Sequence, residues 1–276
     1  ELSKRLGTIV TDVPIEVDFK AMERKEIDWK KVLPLFKKLE FEGLVKKHGG
    51  AVDEFKTENV IERKREEIAK FAFKAVQTEE QLDELIKKLE KAEAFAFDLE
   101  TTGLDTFTAD IIGLSFCVET KSAYYVPIGH RSKPANELRG FDQRNRDVQS
   151  QVPLKIVLEK LRPIFLSGQT KIGHNLKYDI KVLNNAGITV NGPYFDTMVA
   201  SYLIDPISGK HSLKHLAKQF LGREMIKLME LIGKDAEFSD FSDVPIDLAT
   251  DYAGSDADST FGLYEIFKLA LKGQKM

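Results

Sequence analysis

A single cysteine, Cys117, stands in 276 residues, which excludes an intramolecular disulfide and any zinc site built from thiolates alone. It lies in the apolar run IIGLSFCV, reads as a small buried hydrophobe, and fits a reducing, cytoplasmic setting. No apolar run approaches the roughly 18 residues of a membrane helix, so a membrane partner is not expected. Strong charge of either sign is missing too. With 41 basic and 44 acidic residues the net charge is −3, which argues against coating nucleic acid by counterion release. An enzyme that holds a few terminal nucleotides and neutralises phosphate with bound metal remains compatible. The chain has no nucleophile elbow, no Walker-type glycine loop, no internal repeat and no low-complexity tract. Its first residues, ELSKRLG, carry neither an initiator Met nor a signal-peptide stretch, and read as an internal segment of a longer protein.

What is present falls into two textures. Residues 1–75 are charge-rich, with a helix expected from Asp28 in DWKKVLPLFKKLEF, a break at Gly49-Gly50, and the alternating-charge ENVIERKREEIAKFAFK, which reads as a solvated connector. From Thr78 the pattern is regular. Thr78 and Gln81 match a capping box, and Leu82, Leu85, Ile86 and Leu89 recur at helical spacing, predicting an amphipathic helix that ends near Ala92. AFAFD, IIGLSFCV and SAYYVPI read as three successive strands, 131–151 as a surface loop, VPLKIVLEKLRPIFL as a helix and KIGH as a short buried strand. Every later segment reads as helix or connection. The class implied is α/β, a mixed sheet with helices packed against it.

Acidic residues are common enough that acidic-x-acidic triplets should arise by chance on the order of seven times, so each acid matters only in its setting. Asp98 is expected to close the AFAFD strand. Side chains alternate faces along a strand, so Asp98 and Glu100 leave it side by side. Two like charges this close repel unless a cation sits between them, and a hard divalent ion with oxygen ligands is the simplest remedy. Asp179 lies in the first turn of the helix after KIGHN, with Asn175 as its expected cap, at a strand-to-helix corner where ligands gather in α/β sheets. Tyr252 and Asp256 are four apart in a helix expected from Ile246 to Lys272 and share one face.

Other polar groups read as structural. Asp251 and Asp258 fall on faces other than that of Tyr252 and Asp256 and are expected to be solvated. Asp196 reads as a helix cap, and so does Ser212, while His211 and His215, four apart but without a companion ligand, read as structural or exposed.

With these residues in view, the chain resembles the proofreading exonuclease region of bacterial family A DNA polymerases (DNA polymerase I), in the tyrosine-containing branch of the DEDD exonuclease superfamily. FDLETTGLD matches the first motif, GHNLKYD the second and YAGSD the third, in order, with the likeness running from about Thr78 to Lys272. TIVTDVPIEVDF and LFKKLEFEGLV resemble the stretch that precedes the exonuclease. The resemblance implies a ribonuclease H-like fold at 76–276, a connector at 1–75, and 3′→5′ removal of nucleotides from single-stranded or frayed DNA. It implies two divalent ions, Mg²⁺ or Mn²⁺, with Zn²⁺ able to fill one site. Asp98 would bridge both ions, Glu100 and Asp256 complete the tighter site, Asp179 hold the second, and Tyr252 help Glu100 orient the attacking water.

The same resemblance implies substrate contacts at Leu104 (an apolar wedge), Asn175 and Tyr178 (a single-strand cleft), Lys210 (a phosphate, where the family has arginine) and Leu228 (a second wedge). Partners implied are a single-stranded DNA 3′ end and a polymerase region lying outside this sequence, in a monomer associated with the bacterial nucleoid. Two other readings stay open: an RNA exonuclease like ribonuclease D, and a non-catalytic module that stabilises a polymerase.

Overall fold

The computed structural model describes residues 27–39, 70–131, 150–232 and 240–273, with isolated positions at 5, 7–9, 14, 41, 44 and 238. It divides into two units, Glu1–Phe55 and Lys56–Met276. The first contains helix α1 (Trp29–Lys38), opened where the Asp28 carbonyl accepts the Lys31 and Val32 amides. The Gly49-Gly50 break, the connector as far as 69, and 132–149 of the expected surface loop lie outside the described residues.

The second unit is built on a six-stranded mixed sheet in the order β1-β4-β3-β2-β5-β6. Its strands are β1 (Ala72–Ala75), β2 (Ala94–Thr101), β3 (Ile111–Glu119), β4 (Ser122–Pro127), β5 (Thr170–Gly173) and β6 (Tyr194–Asp196). β2, β3 and β4 form an antiparallel meander, while β1, β5 and β6 pair parallel to their neighbours. The three expected strands are all present, but the sheet is wider than the sequence reading. Residues 72–75, read as connector, form β1 along Ser122–Tyr125, and YFD forms β6. β2 also continues through Asp98 to Thr101 rather than closing there.

Alternation along β2 sorts its two faces. Phe95, Phe97 and Leu99 enter one core with α2 (Glu79–Lys91), α3 (Leu154–Leu166) and α4 (Lys177–Asn185). Phe165 stands edge-on to Phe97 there, ring centroids 5.1 Å apart. The Thr78–Gln81 capping box opens α2 as expected, with Ala92 as its C-cap. On the opposite face Ala96 meets Ala257, Phe261 and Tyr264 of the long helix α8 (Ile246–Gly273). Helices α5 (Thr197–Ile204) and α6 (Leu213–Leu221) pack outside α8 through Ala200, Leu216, Leu263 and Phe267. α7 (Leu228–Leu231) is a single short turn.

The middle of α8, AGSDADST, is buried throughout, and small residues there let the helix backbone approach the sheet. A Cβ on Gly254 would lie 2.9 Å from the Phe73 ring of β1. The face of β2 that carries Asp98 and Glu100 is therefore turned toward a closely packed helix rather than toward bulk water.

Candidate active site

Asp98 and Glu100 project from β2 toward α8, and Asp256 projects back from α8. One carboxylate oxygen from each can be chosen so that all three lie within 4.8 Å of one another. A bulge helps to set this arrangement. Glu100 pairs with Gly113 and Thr101 with Ile111, so Ile112 is an extra residue on β3, at the end of β2 where the acids stand. Gly113 is required: a Cβ would fall 2.2 Å from the Tyr125 hydroxyl, whose own hydrogen bond runs to His130 Nε2 at 2.7 Å.

Burial dominates the electrostatics. It pushes the Asp98 carboxyl up to about 7, with the Asp256 charge adding to the rise and Lys214 opposing it. Glu100 is raised well above the ordinary carboxylate range by burial and then by Asp98 and Asp256. Asp256 is raised by burial, against the pull of Lys214. The Tyr252 phenol is raised by burial and by the Asp256, Glu100 and Asp98 charges, so it keeps its proton throughout the neutral range.

Asp179 stands against this group rather than inside it. The β2–β5 ladder ends at Ala96–Ile172, leaving the Leu99 amide without a strand partner, and Asp179 Oδ1 accepts that N–H at 3.1 Å. Its carboxylate is thus fixed on the edge of β2 between Asp98 and Glu100. Burial and the Asp98 charge raise its pKa, while the Leu99 hydrogen bond lowers it.

The corner that presents Asp179 differs from the expected one. Asn175 does not cap α4. It adopts φ +64°, and the Asp196 carboxylate accepts the Asn175 and Leu176 amides at 3.1 and 2.9 Å. Asp196 also caps α5 through Met198 and Val199, as expected, so one side chain closes two helix starts. Ser212 occupies the N-cap position of α6 but makes no side-chain cap bond. His211 Nδ1 pairs with Ser201 Oγ at 3.0 Å, a structural role.

Among the described residues, one cation is bonded to the acid cluster, and it was not foreseen. Lys214 on α6 donates to Asp256 Oδ1 and lies 4.4 Å from the centre of the Tyr252 ring. In HSLKHLA it reads as an ordinary surface lysine beside two histidines. Asp258, expected to be solvated, is instead buried: it pairs with Arg223 and accepts the Lys121 amide.

The expected substrate contacts are more dispersed. Leu104 is 92% exposed in the β2–β3 loop. Tyr178 is half-buried, its hydroxyl hydrogen-bonded with Thr101 Oγ1 at 2.6 Å and donating to the Gly103 carbonyl at 2.5 Å. Asn175 is exposed at the corner, Lys210 lies in the connection before α6, and Leu228 begins α7, partly exposed.

The donor set fits a hard divalent cation: three mutually repelling carboxylates, Glu100 and Asp256 buried and Asp98 partly so, with a fourth fixed beside them and one lysine to offset the charge. Asp98, Glu100 and Asp256 are the residues that could hold it most closely.

Comparison with known proteins agrees with this geometry. A family model described as 3′-5′ exonuclease matches residues 73–272. DNA polymerase I of Borreliella burgdorferi is 37% identical over 204 residues, covering 74% of this chain and 20% of that protein. DNA polymerase I of Pseudomonas aeruginosa is 33% identical over 271 residues, covering 96% and 28%. The chain thus spans a fifth to just over a quarter of the length of these relatives.

Among solved structures, Brucella melitensis NrnC with bound Mg²⁺ superposes with a TM-score of 0.50 at 21% identity, over 74% of this chain and 83% of that one. Escherichia coli RNase D, an exoribonuclease involved in structured RNA processing, does so with 0.52 at 13%, over 73% and 45%. These two likenesses are of fold, and the mixed sheet with flanking helices is ribonuclease H-like.

Proposed function

The chain belongs to the 3′-5′ exonuclease family matched in bacterial DNA polymerase I, and on that premise we propose that it hydrolyses the last phosphodiester of a single DNA strand, releasing 3′-terminal nucleotides. The observation that carries the proposal is the meeting of Asp98, Glu100 and Asp256 within 4.8 Å in a buried setting. In this reading the catalytic domain begins at β1, near residue 72, the residues before it serve as a connector, and the strand is delivered by a polymerase region of a longer protein.

Asp98, Glu100 and Asp256 would hold one divalent ion, with Asp98 and Asp179 holding a second. Bound Mg²⁺ or Mn²⁺ supplies a nucleophilic hydroxide near neutral pH and stabilises charge on the leaving oxygen. The chain's own groups do the positioning. The Leu99 amide holds Asp179 in place, so the carboxylates do not have to be gathered when substrate arrives. Tyr252 keeps its proton and stands beside Glu100 and Asp256, placed to donate a hydrogen bond to a water or a phosphate oxygen. Closure of α8 over β2 limits water around the acids.

The test is digestion of matched 5′-labelled single-stranded DNA and RNA oligonucleotides with and without Mg²⁺. Stepwise loss of 3′ nucleotides from DNA, abolished by EDTA and by Asp98→Ala, is expected. Full activity of Asp98→Ala would overturn the metal assignment, and a strong preference for RNA the substrate assignment.

A further inference from the structure

We propose that Phe107 is a base-stacking residue that grips the substrate strand upstream of its terminal nucleotide, an inference that rests on the single-strand exonuclease reading above. Phe107 is 86% exposed in the loop between β2 and β3, and Leu104 beside it is 92% exposed. Apolar side chains at the tip of a loose loop would mean little, but this loop is pinned along its length. The Gly103 carbonyl accepts from the Tyr178 hydroxyl at 2.5 Å, and that hydroxyl accepts in turn from Thr101 Oγ1 at 2.6 Å. The Thr102 amide donates to the Asp110 carbonyl and the Asp110 amide to Thr102 Oγ1, both at 3.0 Å. The Phe107 amide donates to Asp105 Oδ1 at 3.0 Å, and Asn185 Nδ2 donates to the Thr106 carbonyl at 2.6 Å. The backbone that carries Phe107 is thus held from both sides while the ring is held out into water, the arrangement of a preorganised contact.

Its place follows from α4. Tyr178 and Asn185 anchor the loop at Gly103, near its start, and at Thr106, near its middle, and they are seven residues apart on one helix, roughly 10 Å along its axis. Asp179 is next to the Tyr178 anchor, so Leu104 follows the Gly103 anchor at the acidic end and Phe107 follows the Thr106 anchor farther away. A strand whose 3′ end is cut at the carboxylates can extend from them only in its 5′ direction. On a strand that leaves the carboxylates along this loop, Phe107 meets a base upstream of the one being removed. Because every base has a π face, such a contact adds affinity without selecting sequence.

The test measures binding of fluorescent single-stranded DNA octamers in the Asp98→Asn background with Mg²⁺, using an intact octamer and one with abasic sites at the second and third nucleotides from the 3′ end. Phe107→Ala should weaken binding of the intact strand about tenfold and of the abasic strand by no more than about twofold. Phe107→Trp should restore the intact strand. Equal loss on both strands, or no loss on the intact one, overturns the proposal. If the parent protein neither binds nor shortens the intact strand, the exonuclease reading itself falls, and the role of Phe107 with it.

Discussion

Replacing Asp98, one of the proposed metal ligands, by asparagine should make the metal-free protein more stable at pH 8. The Asp98 carboxyl moves from 3.8 when unfolded to about 7 when folded, because burial and the Asp256 charge disfavour its ionised form. Between those two values the folded state binds more protons than the unfolded one. Stability from this group is therefore present at low pH, falls as pH rises, and is gone above about 7. The change is worth at most about 4 kcal/mol, and asparagine, which does not titrate, escapes it. Burial holds His130 and His174 down at about 4, so they lose stability in the opposite direction, on acidification below their ordinary 6.5. They do so in both proteins and cancel in the difference. Asparagine also lifts the repulsion that raises Glu100 and Asp179, which adds to the effect with the same sign. Urea unfolding of parent and variant in EDTA should show the stability difference moving toward the variant by several kcal/mol from pH 4 to pH 8. With Mg²⁺ at 100 times its Kd the gap should narrow by up to about 2.7 kcal/mol, since the ligand stabilises the folded parent by that amount and the variant binds it less well. A parent that stays as stable as Asp98→Asn at pH 8 in EDTA would refute the description of the acids as a buried, mutually repelling group.

Lys214→Met should lower metal-free stability by about 1–3 kcal/mol at pH 8, through loss of the charged hydrogen bond to Asp256. It should also enlarge the rise in melting temperature on adding Mg²⁺, because the lysine competes for the same carboxylate; an unchanged rise would argue against that competition. Arg223→Ala strands the buried Asp258 carboxylate and removes the guanidinium that lies 5.0 Å over the Phe71 ring. A loss of about 3–5 kcal/mol in urea unfolding is expected.

How much could be read in advance depended on how local each cause was. The meander of β2, β3 and β4 announced itself through alternation and branched residues, and α2 through its own capping box. β1 and β6 did not, because four and three residues give alternation too little length, and their pairing partners lie some 50 and 20 residues away in the chain. The end of β2 was misplaced for a related reason. Asp98 and Glu100 are poor strand formers by composition, and the bulged pairing to β3 on one side and the Leu99–Asp179 hydrogen bond on the other hold them extended. The start of α4 is capped by Asp196, some 20 residues downstream, which no window around Asn175 contains.

The site divides along the same line. Asp98 with Glu100, and Tyr252 with Asp256, are linked by the period of one strand or one helix, so each pair could be placed on a face before any fold was known. Lys214 and Asp258 could not, since whether a charge is buried depends on the partner that meets it. Asp258 is buried because Arg223 and the Lys121 amide come to it from other elements. Lys214 becomes part of the site because α6 packs on α8 through Leu216, Leu263 and Phe267, and from there its side chain reaches Asp256. These two ion pairs sit two residues apart on α8, and they differ in what each cation can do. Asp258 is satisfied on two sides and is closed to further ligands. Asp256 is met by one flexible lysine and two neighbouring carboxylates, so an incoming cation that binds all three acids at once replaces one attraction with several.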